Sequence, residues 1–162
     1  MGSNPWVVNA SPLILLGKTG HLDLLAVLAD NVVVPQAVAG EVGAKPDGAA
    51  ILAEVAGSPA YRVADSEAAP PEVLAWDLGA GETQVITHAL RDGADRVVLN
   101  DLEARRCSKA MGLRVIGTLG VVGRAKAMGR IAQATPVIEH QSTTGLDVSD
   151  ALVQHLLREI GE

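Results

Sequence analysis

The stretch Arg96–Gly123, RVVLNDLEARRCSKAMGLRVIGTLGVVG, decides the fold. Its opening run, Val97-Val98-Leu99, does not alternate with polar residues, so it reads as a strand buried on both faces that stops on Asn100 and Asp101. A carboxylate thus stands at the carboxyl end of a strand. Ala104, Cys107, Ala110 and Met111 then recur at helical spacing on one side of a helix, Arg105, Arg106 and Lys109 project from another, and Gly112 closes it. A second apolar segment, Leu113 to Ile116 broken by Arg114, leads into Gly117-Thr118-Leu119-Gly120 and a further helical run through Ala125 and Met128. Strand, helix, strand, helix in so few residues requires a parallel crossover. Ligand sites in such sheets lie beyond the carboxyl ends of the strands, where Asp101 and Thr118 stand.

Upstream, Trp6-Val7-Val8 reads as the first strand, ending on Asn9, with Ser11 as the cap of a helix that has Pro12 in its first turn. A second helical run, His21 to Leu28, completes a hairpin. Asn31 to Val34 is the next strand, halted by Pro35, and Gln36 to Val42 the next helix, with Val38 and Val42 inward and Glu41 beside them. Lys45 to Gly48 is a turn, Ala49 to Ala56 a helix, Tyr61 to Val63 a strand at a sheet edge, and Ser66 to Pro71 an exposed loop. A helix launched at Leu78 to Glu82 and ended by Asp92-Gly93 puts Val85, Ile86, Ala89 and Leu90 on its apolar side and Gln84, His88 and Arg91 on its wet one. Beyond Gly129 come helical runs at Pro136 to His140 and, behind a Ser149 cap, Asp150 to Ile160, with Leu152, Leu156 and Leu157 inward.

The 162 residues suit one domain, 1–162, of class α/β: 48% are apolar, drawn from Val, Leu, Ala and Ile without any Phe. The single cysteine, Cys107, excludes an internal disulfide and reads as a small buried hydrophobe, which fits a reducing cytoplasm. No run approaches the ~20 apolar residues of a membrane span, and no basic leader precedes an apolar stretch, so neither a membrane segment nor a signal peptide is expected. A net charge of -6 argues against a surface that attracts nucleic acid as a whole. Contacts to phosphates must be local or assisted by cations.

Polar residues where strands end or helices begin are Asn9, Ser11, Glu41, Glu82, Asn100, Asp101, Glu103 and Thr118. A mostly acidic set of oxygen donors converging on one crevice is what Mg²⁺ or Mn²⁺ requires, and such an ion assists phosphodiester hydrolysis by ionising water and offsetting charge. Arg105, Arg106 and Lys109 stand directly behind Asp101, able to hold neighbouring phosphates. Taken singly, each feature has a plainer reading. Glu82 suits a first helical turn, Asp101 is an ordinary N-cap, and paired arginines commonly face solvent.

In order, VVNASPLILLGKTGHLDLL, VVVPQAVAGEV, LGAGETQVITHAL and VVLNDLEARRCSKAMGLRVIGTLGVVGRAKAMG resemble the PIN-domain superfamily over about residues 6 to 130. The Asn-x-Ser-Pro-Leu start and the segment ending in Gly-Thr-Leu-Gly are most similar to a little-characterised prokaryotic branch. The resemblance implies a three-layer αβα sandwich with a central parallel sheet. It also implies a Mg²⁺- or Mn²⁺-dependent ribonuclease acting on RNA, often the toxin of a toxin–antitoxin pair with a cognate antitoxin, and a homodimer. Family acids end the first strand, lie on the helix after strand two, open a mid-chain helix and follow a later strand. Those places hold Asn9, Glu41, Glu82 and Asp101, with Ser11 matching the small hydroxyl residue.

Asn9 departs from that pattern: an amide still offers a carbonyl oxygen but removes one negative charge, which weakens metal binding. Asn100 replaces the first of the tandem acids frequent in the branch. Two other readings therefore stand beside the ribonuclease. One is a nucleic-acid-binding or regulatory module that kept the fold without turnover, and the other a receiver-like phosphotransfer protein with Asp101 as nucleophile.

Overall fold

The computed structural model describes residues 5–29, 31–144 and 150–159. In chain order the elements are β1 (Trp6–Val8), α1 (Ala10–Lys18), α2 (Leu22–Ala29), β2 (Val32–Pro35), α3 (Gln36–Gly43), α4 (Gly48–Ala56), β3 (Tyr61–Ala64) and α5 (Pro71–Leu74). They continue with α6 (Ala80–Asp92), β4 (Arg96–Val98), α7 (Leu102–Ala110), β5 (Val115–Ile116), α8 (Thr118–Ala127), α9 (Thr135–Thr144) and α10 (Asp150–Glu159). All strand pairs are parallel, in the order β3-β2-β1-β4-β5, with Val7 opposite Val33 on one side and Val97 on the other. This is the three-layer αβα arrangement that the resemblance implies, built on the parallel crossover that the apolar triplets foretell.

The triplets need no alternation because helices cover both faces of the sheet. Val7, Val33 and Val97 are fully buried, and burial of a side chain of that size contributes ~1.5–3 kcal/mol. Right-handed crossovers put α1, α2 and α4 on one face and α6 and α7 on the other, and α6 packs on β1, β2 and β4. A smaller apolar cluster of Leu15, Leu119, Val122, Ala134, Ile138 and Leu157 joins α9 and α10 to α1 and α8. Among the described residues no single helix is long and apolar enough to cross a membrane. Cys107 is buried in the main core, and burial raises its thiol pKa, as expected of an inert small hydrophobe.

Several local expectations are corrected. Ser11 caps nothing: α1 already begins at Ala10, so Ser11 lies in its first turn, and Asn9 at the cap position makes no side-chain cap bond either. Pro35 does not halt β2 but ends it as its last residue, and α5 is a short helix that the Pro70-Pro71 pair conceals. His88 lies on the buried side of α6 at 2% exposure, whereas Leu90 is 36% exposed, because α6 is enclosed on two sides and its buried arc extends to Thr87 and His88. On α7, Ser108 takes the inward place expected of Ala110, its hydroxyl donating to the Ala104 carbonyl. The proposed Ser149 cap, Ile160 and the Leu152 side chain lie outside the described residues.

Candidate functional site

The order β3-β2-β1-β4-β5 reverses direction between β1 and β4, and the crevice beyond their carboxyl ends is where open parallel sheets bind ligands. Asn9 follows β1 there, Asn100 and Asp101 follow β4 by one residue, and Thr118 begins α8 after β5. Two helices bring acids to the same end. Glu41 reaches from α3 to the start of α6, where its Oε1 accepts a hydrogen bond from the Gly81 N–H at 3.0 Å. A helix N-terminus is a natural seat for a carboxylate, since its amides lack partners and its dipole end is positive.

Only glycine permits that approach: a Cβ on residue 81 would lie 2.6 Å from Glu41 Oε1. Gly81 is therefore part of the site, and sequence reasoning passed over it; its signal was a glycine in the first turn of a helix, one residue before an acid. Glu82 is next along. Its carboxyl pKa is raised above 4.5, first by burial and then by the negative charges of Asp101 and Glu41, with a Gly79 backbone hydrogen bond opposing. Glu82 therefore feels the charges of both Asp101 and Glu41, although the three acids are far apart in the sequence. Asp101 caps α7, its Oδ2 accepting from the Ala104 N–H at 3.0 Å. Each of these two hydrogen bonds uses one carboxylate oxygen, which leaves Glu41 Oε2 and Asp101 Oδ1 without a hydrogen-bonding protein group among the described residues.

Asn9 is buried at 6% exposure, and its Oδ1 has no hydrogen-bond partner. An orphaned buried carbonyl costs ~1–3 kcal/mol and is an acceptor that a cation or water would satisfy. Asn100 differs: its Oδ1 accepts from Thr118 N at 2.9 Å and Thr118 Oγ1 at 3.0 Å, and its Nδ2 donates to Ser11 Oγ at 3.0 Å. Ser11, Asn100 and Thr118 thus form a closed network across the tips of β1, β4 and β5. Arg105 leans back toward those tips, its Nη1 so near Gly117 that a Cβ there would be 2.9 Å away. Glu103 and Arg106 pair with each other at 2.7 Å on the exposed face of α7, and Lys109 is exposed one turn beyond Arg105.

The donor chemistry fits a hard cation: three carboxylates, one of them reluctant to ionise beside its neighbours, and a buried amide oxygen lacking a partner. The fit lies in chemistry and placement, since no group of three or more His, Cys, Asp or Glu among the described residues stands ready to hold a metal. A cavity of about 610 Å³ lined by Gly17, Lys18, Asp47, Ala50, Ile51 and Glu54 contains none of these residues.

A family model described as a PIN domain matches residues 5–162. Among solved structures the chain is similar to the PIN domain endonuclease Utp24, with a TM-score of 0.52 and 8% identity, covering 70% of this chain and 84% of that one. At that identity the likeness is one of fold. No curated protein matches the chain.

Proposed function

Because the chain belongs to the PIN-domain family, we propose that it is a divalent-metal-dependent ribonuclease hydrolysing RNA phosphodiester bonds. The observation that carries this reading is that Glu82, partly buried, has its pKa raised further by the charges of Asp101 and Glu41, at the end of the sheet where the Asn9 carbonyl lacks a partner. Glu41, Asp101 and Asn9 are the groups to hold Mg²⁺ or Mn²⁺, with Glu82 completing the acidic set. A bound hard cation supplies charge neutralisation at the phosphodiester and acidifies water. Glu82 keeps its proton to higher pH than an isolated carboxylate does, and a cation held beside it would favour its ionised form. Arg105, beside Gly117, is placed to hold a phosphate next to the scissile one, and the Ser11–Asn100–Thr118 network fixes the strand tips around it.

Cleavage of single-stranded RNA in Mn²⁺ or Mg²⁺ tests the proposal. Asp101→Asn is expected to lower the rate at least ~100-fold, since loss of a ligand exceeds the 10–100-fold cost of losing a group behind one. Asparagine still caps a helix, so the fold is kept. Asn9→Asp is expected to raise the rate at limiting metal by adding one negative charge. Equal rates from all three proteins would overturn the reading and favour the second one, a nucleic-acid-binding or regulatory module without turnover. That second reading rests on the amides at Asn9 and Asn100. From the sequence resemblance the proposal extends to a prokaryotic, cytoplasmic toxin that forms a homodimer and is neutralised by a cognate antitoxin. A short antitoxin-like gene beside its own would support that extension.

A further inference from the structure

The net charge of -6 conceals a division of the chain. Between Arg96 and Arg130 stand eight of the thirteen Lys and Arg residues and only two of the nineteen acids, a balance of +6 against -12 for the remainder. In the fold this segment is β4, α7, β5 and α8, the flank of the sheet that ends at the edge strand β5. At the carboxyl end of that flank Arg105 leans over Gly117, beside the acidic crevice. Lys109 lies one turn further along α7, and the chain then reaches Arg114, which directly precedes β5 and whose carbonyl accepts from Val97.

Arg96 and Arg114 meet around Asp95 at the amino end of the sheet, opposite the carboxylates, and the charge of Arg124, near the end of α8, reaches Arg96. Arg96 opens β4 with its guanidinium 5.8 Å from the Trp6 ring centroid, and its buried Nε has no hydrogen-bond partner. Asp95 is the acid among them: its Oδ1 pairs with Arg114 at 3.1 Å and its Oδ2 accepts from the Trp6 indole at 3.1 Å, while Arg96 Nε stays 3.9 Å away. Burial lowers the Arg96 pKa, and the positive charges of Arg114 and Arg124 lower it further, against the opposing effect of Asp95. Like charges held this close gain from a polyanion that neutralises them.

We propose that the α7–β5–α8 flank is a track for a single-stranded nucleic acid backbone, running from Arg105 at the crevice past Lys109 to an outlying phosphate site at Arg96, Arg114 and Arg124. The ribonuclease reading supplies the identity of the polyanion, and the charge division supplies the path. α7 has nine residues and so is ~14 Å long, enough to follow a few successive phosphates of one strand. Between Arg96 and Arg130 there is no Phe, Trp, Tyr or His, so no ring stacks on bases. Binding along the track is therefore tolerant of sequence and strongly dependent on salt.

The test is fluorescence anisotropy of labelled single-stranded RNA in chelator, where cleavage does not occur, with probes of about four and about twelve nucleotides. The wild-type protein is expected to bind the longer probe more tightly, and the double variant Arg114→Gln/Arg124→Gln to lose about tenfold in affinity for it at low salt. The slope of log affinity against log salt should fall by about 1.4, or ~0.7 for each lost phosphate contact. The advantage of the longer probe collapses in that variant, whereas Lys45→Gln, a charge removed from the acidic remainder of the chain, keeps it. Both arginines are exposed, and a circular dichroism melt checks that the variant folds. An unchanged slope and unchanged preference for the longer probe would overturn the track. So would loss of salt-sensitive self-association in the variant with RNA affinity intact, which would assign the flank to the acidic side of a second copy. RNA bound along the track but not cleaved in Mn²⁺ would leave the track standing and remove the ribonuclease.

Discussion

Asn9 and Asn100 end neighbouring parallel strands, and both stand where an acid would be expected, yet their surroundings are opposite. Asn100 is engaged at both ends of its amide: the oxygen accepts from Thr118 and the nitrogen donates to Ser11. Asn9 is deeper and its carbonyl oxygen is unpartnered, at the same end of the sheet as Glu82, whose ionisation the charges of Asp101 and Glu41 oppose. One amide has been absorbed into the architecture, and the other leaves an acceptor open. One part of the crevice is thus tied together across the strand tips, and the other keeps an unpartnered acceptor.

The sharpest break in this contrast comes from removing each amide in turn. Asn100→Ala strands the Thr118 N–H and hydroxyl, a cost of ~1–3 kcal/mol, which for a chain of this size lowers the melting temperature by several degrees. Asn9→Ala removes an oxygen that bonds to nothing and so lowers it less. Thermal melts without divalent ions decide the matter, and equal losses from the two variants would show that the two parts do not differ.

The second effect is smaller and concerns the acids alone. Gly81→Ala would bring a methyl to 2.6 Å from Glu41 Oε1, and the flexible Glu41 side chain would swing away and give up its bond to the helix N-terminus. A hydrogen bond to a charged group contributes ~1.5–3 kcal/mol and alanine regains ~1 kcal/mol of helix propensity, so a net loss of about 1 kcal/mol is expected. The added stability conferred by Mn²⁺ should shrink with it. A variant that melts higher and keeps its full response to Mn²⁺ would show that Glu41 needs no such seat.

How much of this could be read beforehand follows from what each residue depends on. The strands were legible because Val7, Val33 and Val97 are apolar and unalternated, and the parallel crossover follows from spacing alone. The positions of Glu41, Glu82 and Asp101 relative to strand tips were legible for the same reason. Gly81 as the seat of Glu41 was not, because the contact joins positions forty apart and depends on the space a missing Cβ leaves. His88 was misread because periodicity sorts residues by polarity, whereas its burial is decided by what packs around α6. The different fates of Asn9 and Asn100 were equally hidden: two identical side chains at two strand ends differ only through Ser11 and Thr118, brought in from other elements.

The smallest effect tests whether Glu82 is held in tension by charge. The raised pKa of Glu82 means that the folded chain binds this proton more tightly than the unfolded one, so ionising Glu82 opposes folding. The opposition is absent below pH 4.5, grows as pH rises toward the folded-state value and is complete above it. Glu82→Gln should therefore melt level with the wild type in acid and above it at neutral pH. Glu82 is only partly buried, so solvent screening limits the gain to about a degree or two. Saturating Mn²⁺ should erase or reverse the advantage, because the cation neutralises the repulsion in the wild type and finds one ligand fewer in the variant. A gain that persists unchanged in Mn²⁺, or one already present in acid, would mean that burial of a polar side chain sets the effect and that the carboxylates share no ion.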